Sequence, residues 1–417
     1  MADKPDFLVV GGGIIGLACA HYLRALGGRV TVIDRGTIGG ACSHGNCGYI
    51  CPSHVLPLTE PGALAEGLRS LFDPGAAFRI RPSLSPALWY WLAQFGSRCT
   101  KKQMMRAAPA LKAMLDSSIA EYRDLVRQGT VDGEWEDRGL LYVFRSASAL
   151  DRFGEKVALI RDSLGVSATN INREELPDFD PAIRPGMAGA YHFMGDASVR
   201  PEALISSWAD TLQEKGVELI EGCAFEGLDT HAGRIRAIRT DRGNMPAGSF
   251  VFALGAWSSQ FASILGCAIP IQPGKGYSIT MRRPDVCPIH PMLFPEEHVG
   301  VSPFRDGYRL GSMMEFAGYD EHIPERRIQQ LRRAAEPYLV EPHSPDEIDR
   351  WYGWRPMTWD SLPIIGRLDE LSNVILATGH NMLGISMAAA TGRLVAEIAA
   401  DKVPHIDPKP YSPARFR

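Results

Sequence analysis

The pattern that most narrows what this chain can fold into is Gly11-x-Gly13-x-x-Gly16, which follows the apolar run Phe7-Leu-Val-Val10 and opens a helical stretch from Leu17 to Leu26. A short, wholly apolar run of this kind reads as a strand of a buried parallel sheet. Gly27-Gly28 stops the helix, and Val30-Thr-Val-Ile33 makes a second buried strand ending on Asp34, 18 residues after Gly16. Strand, glycine turn, helix, strand and acid in register predict a βαβ unit of the dinucleotide-binding type. Gly11 allows the tight turn, Gly13 lets backbone approach a pyrophosphate, and Gly16 lets helix pack on strand. Amides of Ile14, Ile15 and Gly16 at the helix start are donors for the phosphates. Asp34 is suited to accept from ribose hydroxyls, with Arg35 beside it. NAD and FAD satisfy such a motif equally, because both present ADP to it.

Further apolar runs place the same sheet elsewhere in the chain. Val217–Ile220 and Ser249–Leu254 read as buried strands, the second ending at Gly255, and Asn373–Gly379 is a last strand before an Ala-rich helix from Gly384 to about Ala400. Between them the character changes. Residues 53–128 carry Pro-rich stretches, the aromatic segment Ala87-Leu-Trp-Tyr-Trp-Leu92 and a mixed-charge helical pattern from Met104 to Val126. Residues 269–352 alternate strand-like pieces, such as Gly276–Met281 and Tyr308–Leu310, with turns, before a charged helix at Glu325 to Tyr338. A discontinuous α/β domain with a second domain built from its insertions is the expected organisation.

Composition narrows the partners. The 417 residues are 45% hydrophobic and 22% charged, an ordinary globular balance, with a formal charge of −4 and no dense basic tract, so nucleic acid is not an expected partner. The start of the chain does not read as a secretory signal, and the eight cysteines are expected to be reduced. Phe7–Ala20 is uncharged but too short to span a bilayer, and no other run supplies the roughly 18 apolar residues required. A cytoplasmic protein acting on a small molecule is expected. Ala87–Leu92 suits either core packing or peripheral contact with the inner face of a membrane.

Six segments in order carry a resemblance. They are Gly39-Gly-Ala-Cys-Ser43 with Asn46 and Gly48, Ala253–Trp257, Lys275-Gly-Tyr-Ser278, Gly311–Asp320, Arg355–Gly366 and Ala377–Gly384. Together with the glycine motif, the chain resembles the FAD-dependent amine and amino-acid oxidoreductases, and within them the D-amino-acid dehydrogenase and oxidase branch. The resemblance implies FAD as cofactor and a Rossmann-type FAD domain from residues 1–52, 196–267 and 351–417. An α+β substrate domain on a mainly antiparallel sheet would come from 53–195 and 268–350. It implies oxidation of a D-amino acid, D-proline or hydroxy-D-proline being candidates, by hydride transfer from the α-carbon to flavin N5. The imino product of an open-chain substrate would hydrolyse to a 2-oxo acid and ammonia. Electrons would pass to a quinone or another carrier, with oxygen the lesser alternative. The reading that competes among enzymes is a glycine or sarcosine-type oxidase using oxygen, which Lys275 near the ring would favour. A non-catalytic FAD-binding assembly or sensor protein competes from another class.

Residue by residue, the resemblance puts Ser43, Asn46 and Gly48 along the phosphate and ribityl chain. Gly255, Gly366, Gly379, Asn381, Met382, Leu383 and Gly384 fall near the rest of the cofactor, where the helix start at Gly384 would offer N–H groups to the electron-rich edge of the ring. Arg355 falls where the substrate carboxylate is held, a role suited to a planar guanidinium fork. Tyr277 and Glu315 are candidates for the pocket wall, and His380 for a base or a flavin-loop donor. Asn381 stands where a glycine is common and Trp359 where a small residue or proline is common. No cysteine lies in Arg355–Asp360, where some relatives attach flavin covalently, so non-covalent FAD is expected. Cys42, Cys47 and Cys51 lack a nearby fourth ligand and miss the plant-type iron–sulfur spacing by one residue, so no metal is expected.

Overall fold

The computed structural model describes residues 6–70 and 75–416. Two sheets organise them. The first has six strands in the order Ile364–Arg367, Val374–Thr378, Ser249–Phe252, Phe7–Val10, Val30–Ile33 and Glu218–Ile220, all neighbours parallel except the first pair. The apolar runs read as buried strands lie here because the sheet is covered on both faces, by helices on one and by the small antiparallel sheet of Phe225–His231, Arg234–Thr240 and Gly243–Pro246 on the other, so both faces of each strand need side chains that tolerate burial. The helices Ile14–Ala25 and Gly384–Ala399 cross one face so closely that a Cβ on Gly392 would stand 2.5 Å from the Ala18 carbonyl. This gives the expected α/β architecture with a doubly covered parallel sheet.

The second sheet has nine strands and is mainly antiparallel. Its site-bearing edge runs Glu347–Thr358, Ile271–Arg282, Gly307–Phe316 and Val299–Pro303, each antiparallel to the next. Tyr277, Ile279 and Met281 point to one face, where the helix Glu325–Ala335 packs through Ile328 and Leu331. Gly276 and Ser278 belong to the other.

Two placements differ from the expected domain layout. Strand Glu347–Thr358 runs unbroken across the edge expected at 350/351 and belongs to the antiparallel sheet. The helix Lys101–Arg127, expected with the insertions, packs instead on Gly384–Ala399: Leu111, Met114, Leu115, Ile119 and Tyr122 repeat at helical spacing, and the Tyr122 hydroxyl donates to the Ile385 carbonyl at 2.9 Å. In the helix Pro86–Arg98, Leu88, Trp91 and Leu92 are buried, whereas Trp89 and Tyr90 are 41% and 59% exposed. No helix among the described residues is long and apolar enough to cross a membrane.

Candidate active site

A cleft of about 750 Å³ opens between the two sheets. Its floor is the glycine turn. A Cβ on Gly11 would lie 2.4 Å from the Ala253 carbonyl oxygen, and one on Gly16 1.8 Å from that of Gly11, so neither position admits another residue. Gly13 differs: the nearest atom to a Cβ there would be Ser43 Oγ at 3.5 Å, and the glycine borders the cleft. The helix that follows has no side-chain cap from Gly13 and no acid in its first turn, and its first amide, that of Ile14, donates to Ser43 Oγ at 3.2 Å. Asp34 ends the second strand, where its carboxylate accepts from Gly12 N at 2.7 Å and Gly36 N at 2.8 Å. Arg35 lies with its guanidinium 4.2 Å from the centre of the Trp257 ring.

The helix Gly384–Ala399 brings a second uncapped N-terminus to the same cleft, again with no acid in its first turn. Asn381 has φ of +52°, a left-handed conformation that asparagine tolerates better than other non-glycine residues. Its side chain accepts from Thr358 N at 2.9 Å and donates to the Gly379 carbonyl at 3.0 Å, which explains how asparagine serves in a glycine position.

Arg355 enters from the edge strand. Nη1 donates to the Met313 carbonyl, and no ion pair with Arg355 exists among the described residues. Burial pulls the guanidinium pKa down, and the neighbouring Cys42 and Cys47 thiols are the groups that oppose this. Met313 and Ser312, with φ of +58° and +123°, sit at a bulge opposite Gly276 that presents this carbonyl. A Cβ on Gly276 would stand 2.5 Å from both terminal guanidinium nitrogens, so the glycine makes the slot in which Arg355 lies.

A family model for FAD dependent oxidoreductases, DAO, matches residues 6–398. The chain belongs to this DAO family. It is 30% identical to a D-amino acid dehydrogenase of Granulibacter bethesdensis, over 98% of this chain and 99% of that one. A protein of the same name from Agrobacterium fabrum is also 30% identical, with the same coverage. Among solved structures, glycine oxidase from Bacillus cereus superposes with a TM-score of 0.76 at 18% identity, covering 96% of this chain and 97% of that one. L-proline dehydrogenase from P. horikoshii gives 0.75 at 20%, covering 100% and 98%. These two likenesses establish the fold.

The cleft of this DAO-family enzyme fits FAD on its own geometry. It offers an open glycine, two uncapped helix starts and a carboxylate at the end of the second strand, with Gly11, Gly13, Ile14, Ile15, Asp34, Arg35, Ser43, Asn46, Gly48, Gly255, Asn381, Met382, Leu383 and Gly384 all along its wall. A neighbouring groove of about 790 Å³ carries Glu202, Asp210, Glu218 and Glu221 against Arg242 and lacks such donors.

Other expected site residues stand differently. Gly366 is turned to the C-terminal segment, where a Cβ would meet Pro413 at 2.9 Å, and Gly379 packs against Thr358. Tyr277 borders the cleft, but its hydroxyl is on the far face of the sheet and donates to Glu315 Oε2 at 2.8 Å. Burial and that carboxylate push its pKa up, away from the range of a base. Lys275, on the same far face, donates to the His322 carbonyl at 2.6 Å and lies over the rings of Tyr277 and Tyr352. His380 lines the cleft and is buried. Burial pushes its pKa down to about 3, so it is neutral at pH 7, with Nε2 3.0 Å from Thr391 Oγ1. None of the eight cysteines is in a disulfide, and no group of three or more metal-ligating side chains occurs among the described residues.

Sequence reasoning passed over Gly276, Ser278, Ser302 and Arg309. The available signal was strand phase: in Lys275-Gly-Tyr-Ser278 alternate residues must face opposite ways, so glycine and serine share the face that tyrosine does not.

Proposed function

We propose that this FAD-dependent oxidoreductase oxidises the bond between the α-carbon and nitrogen of a D-amino acid, with FAD held non-covalently. The observation that carries the proposal is the Arg355 guanidinium, half-buried in the cleft with one backbone carbonyl and, among the described residues, no carboxylate to balance it. A partly desolvated cation without a counter-ion is costly, and a substrate carboxylate binding through two parallel hydrogen bonds offsets that cost. The name carried by relatives 30% identical over 98% of the chain supports a D-amino acid.

Bound FAD supplies the two-electron acceptor for the α-hydride. The chain's own part is to hold the carboxylate at Arg355, fix the α-carbon and exclude water. Neither Tyr277, committed to Glu315, nor neutral His380 is suited to take a proton near pH 7, so the substrate enters with its amine already neutral. A cyclic substrate such as D-proline or its hydroxylated form would leave as a ring imine, and an open-chain one would hydrolyse to a 2-oxo acid. Lys275, the residue on which an oxygen-using oxidase reading rests, is engaged on the far face of the sheet. We therefore infer a quinone or another carrier as the electron acceptor. Exposed Trp89 and Tyr90, with Leu84 at 99% exposure, support peripheral contact of a cytoplasmic enzyme with a membrane.

The deciding test is anaerobic mixing of the holoenzyme with D- and L-amino acids, glycine, sarcosine and decarboxylated amines while following flavin absorbance. Bleaching is expected with D-amino acids. Bleaching by glycine or sarcosine in preference would reassign the substrate, and no bleaching by any of them would remove the catalytic reading.

A further inference from the structure

Three neighbouring strands of the antiparallel sheet each send one polar side chain to the same short segment of the cleft wall. Ser278 Oγ donates to the Gly45 carbonyl at 2.7 Å, Arg309 Nη1 to the Asn46 carbonyl at 2.8 Å, and Ser302 Oγ to the Cys47 carbonyl at 2.7 Å. All three donors are buried. The next two carbonyls are occupied as well, Gly48 by Val199 N at 2.8 Å and Tyr49 by Ser386 Oγ at 2.7 Å.

A trans peptide points its N–H opposite to its carbonyl. With the Gly45 and Asn46 carbonyls drawn to the sheet, the N–H groups of Asn46 and Cys47 are turned the other way, toward the cleft that both residues line. No acceptor among the described residues meets either N–H, whereas that of Gly48 donates to Asn46 Oδ1 at 2.8 Å. Backbone donors left this way call for an acceptor from a ligand. Arg309 contributes more than one bond. Its guanidinium is fixed by Thr280 Oγ1 at 2.8 Å and Glu202 at 2.9 Å, and its charge polarises the Asn46 carbonyl, which strengthens the Cys47 N–H on the same peptide as a donor.

We propose that Ser278, Ser302 and Arg309 are positioning residues that aim the Asn46 and Cys47 amides at bound FAD and so raise the protein's preference for the reduced cofactor over the oxidised one. The inference rests on the family's FAD and is independent of which substrate is oxidised. The Cys47 thiol neighbours Arg355, which brings this end of the segment beyond the ribityl chain to the reacting end of the cofactor; an N–H donor there favours whichever form of its partner carries more negative charge, and reduced flavin is the more electron-rich form. Loosening the clamp therefore lowers the midpoint potential of the flavin.

The test uses holoenzyme carrying Ser278→Ala, Ser302→Ala and both together. The bound flavin is equilibrated anaerobically against a reference redox dye, with no amino acid present. Tyr308→Phe serves as control, because that hydroxyl is buried on the same strand as Arg309 but donates to the Pro342 carbonyl at 3.1 Å on the opposite side. Each serine variant is expected to lower the preference for reduced flavin about 3- to 10-fold and the pair by more, a tenfold change reading as about 30 mV for a two-electron couple. Tyr308→Phe should keep the parental potential. Loss of FAD from the serine variants with the control fully loaded supports the same assignment through affinity. Parental potentials in fully loaded serine variants, or an equal fall in Tyr308→Phe, would overturn it. Because no substrate is added, a failed amino-acid reading leaves this result untouched.

Discussion

Arg355, on the cleft face of the antiparallel sheet, is held in the opposite way to the arginine cluster on the far face. On the far face, Glu315 receives the Tyr277 hydroxyl and lies 3.4 Å from Arg79 and 3.6 Å from both Arg81 and Arg327, so one buried carboxylate is shared by three cations. On the cleft face Arg355 has a carbonyl and two thiols nearby but no carboxylate. The first arrangement contains its own anion. The second lacks one, and the missing anion is what a carboxylate substrate brings. What separates a structural arginine from a binding one here is the inventory of partners.

Glu315→Gln should give the largest effect, and it should be on stability. Removing the charge leaves the buried Arg327 without its ion pair, and breaking such a buried pair costs about 3–5 kcal/mol. Burial raises the Glu315 pKa, but the Tyr277 hydroxyl and the three arginines outweigh it, so the carboxyl is held below its ordinary value. Its stabilisation is then present above the unfolded-state pKa of about 4.3 and lost as pH falls through the lower folded value. The gap in melting temperature between parent and variant should be widest at neutral pH and narrow in acid. A gap independent of pH would mean that the carboxylate's charge is not what stabilises this face.

Arg355→Met should act on turnover and spare the fold. Truncating one partner of a desolvated charge pair costs about 2–5 kcal/mol, or roughly 30- to several-thousand-fold in kcat/KM. FAD content should stay near parental, and the decarboxylated amine of the preferred amino acid should lose far less. Equal losses for acid and amine would place Arg355 with the structural arginines of the far face.

Gly276→Ala probes the slot itself. The new Cβ would stand 2.5 Å from both guanidinium termini, but the tip of a long side chain can give way, so displacement rather than unfolding is expected. Crowding of this kind costs about 1–3 kcal/mol, or roughly 5- to 150-fold in kcat/KM, concentrated in the carboxylate substrate. A parental kcat/KM would show that the arginine has room that the geometry does not suggest.

These contrasts also show how far the sequence could be read. The parallel sheet was legible because strands buried on both faces are uniformly apolar, and the glycine motif with Asp34 names its own context. The antiparallel sheet was less so, because its meaning depends on phase. Lys275-Gly-Tyr-Ser278 reads as one motif, yet Gly276 and Ser278 serve the cleft while Lys275 and Tyr277 serve the arginine cluster, and what covers each face comes from distant segments. Gly366 was misread for a related reason: a glycine in an apolar strand announces a close approach, but not that the neighbour is Pro413. Arg309 gave no local signal, since a charged residue in a strand looks exposed until its partners Glu202, Thr280 and the Asn46 carbonyl are in place.

Tyr277→Phe is the mildest change and the sharpest check on which face that residue serves. The hydroxyl donates to Glu315 and to no other group found among the described residues, and Glu315 keeps its three arginines when the phenol is gone. The loss is therefore that of one hydrogen bond without a stranded charge, about 1 kcal/mol of stability. The ring still fills the same core beside Ile279 and Ile328. With Arg355 and its slot untouched, kcat/KM should stay within about twofold of the parent. If instead the rate of flavin reduction fell strongly while the melting temperature held, the hydroxyl would have to reach the substrate. Tyr277 would then be a catalytic residue acting across the sheet edge, and the division of labour between the two faces would fail at the residue that joins them.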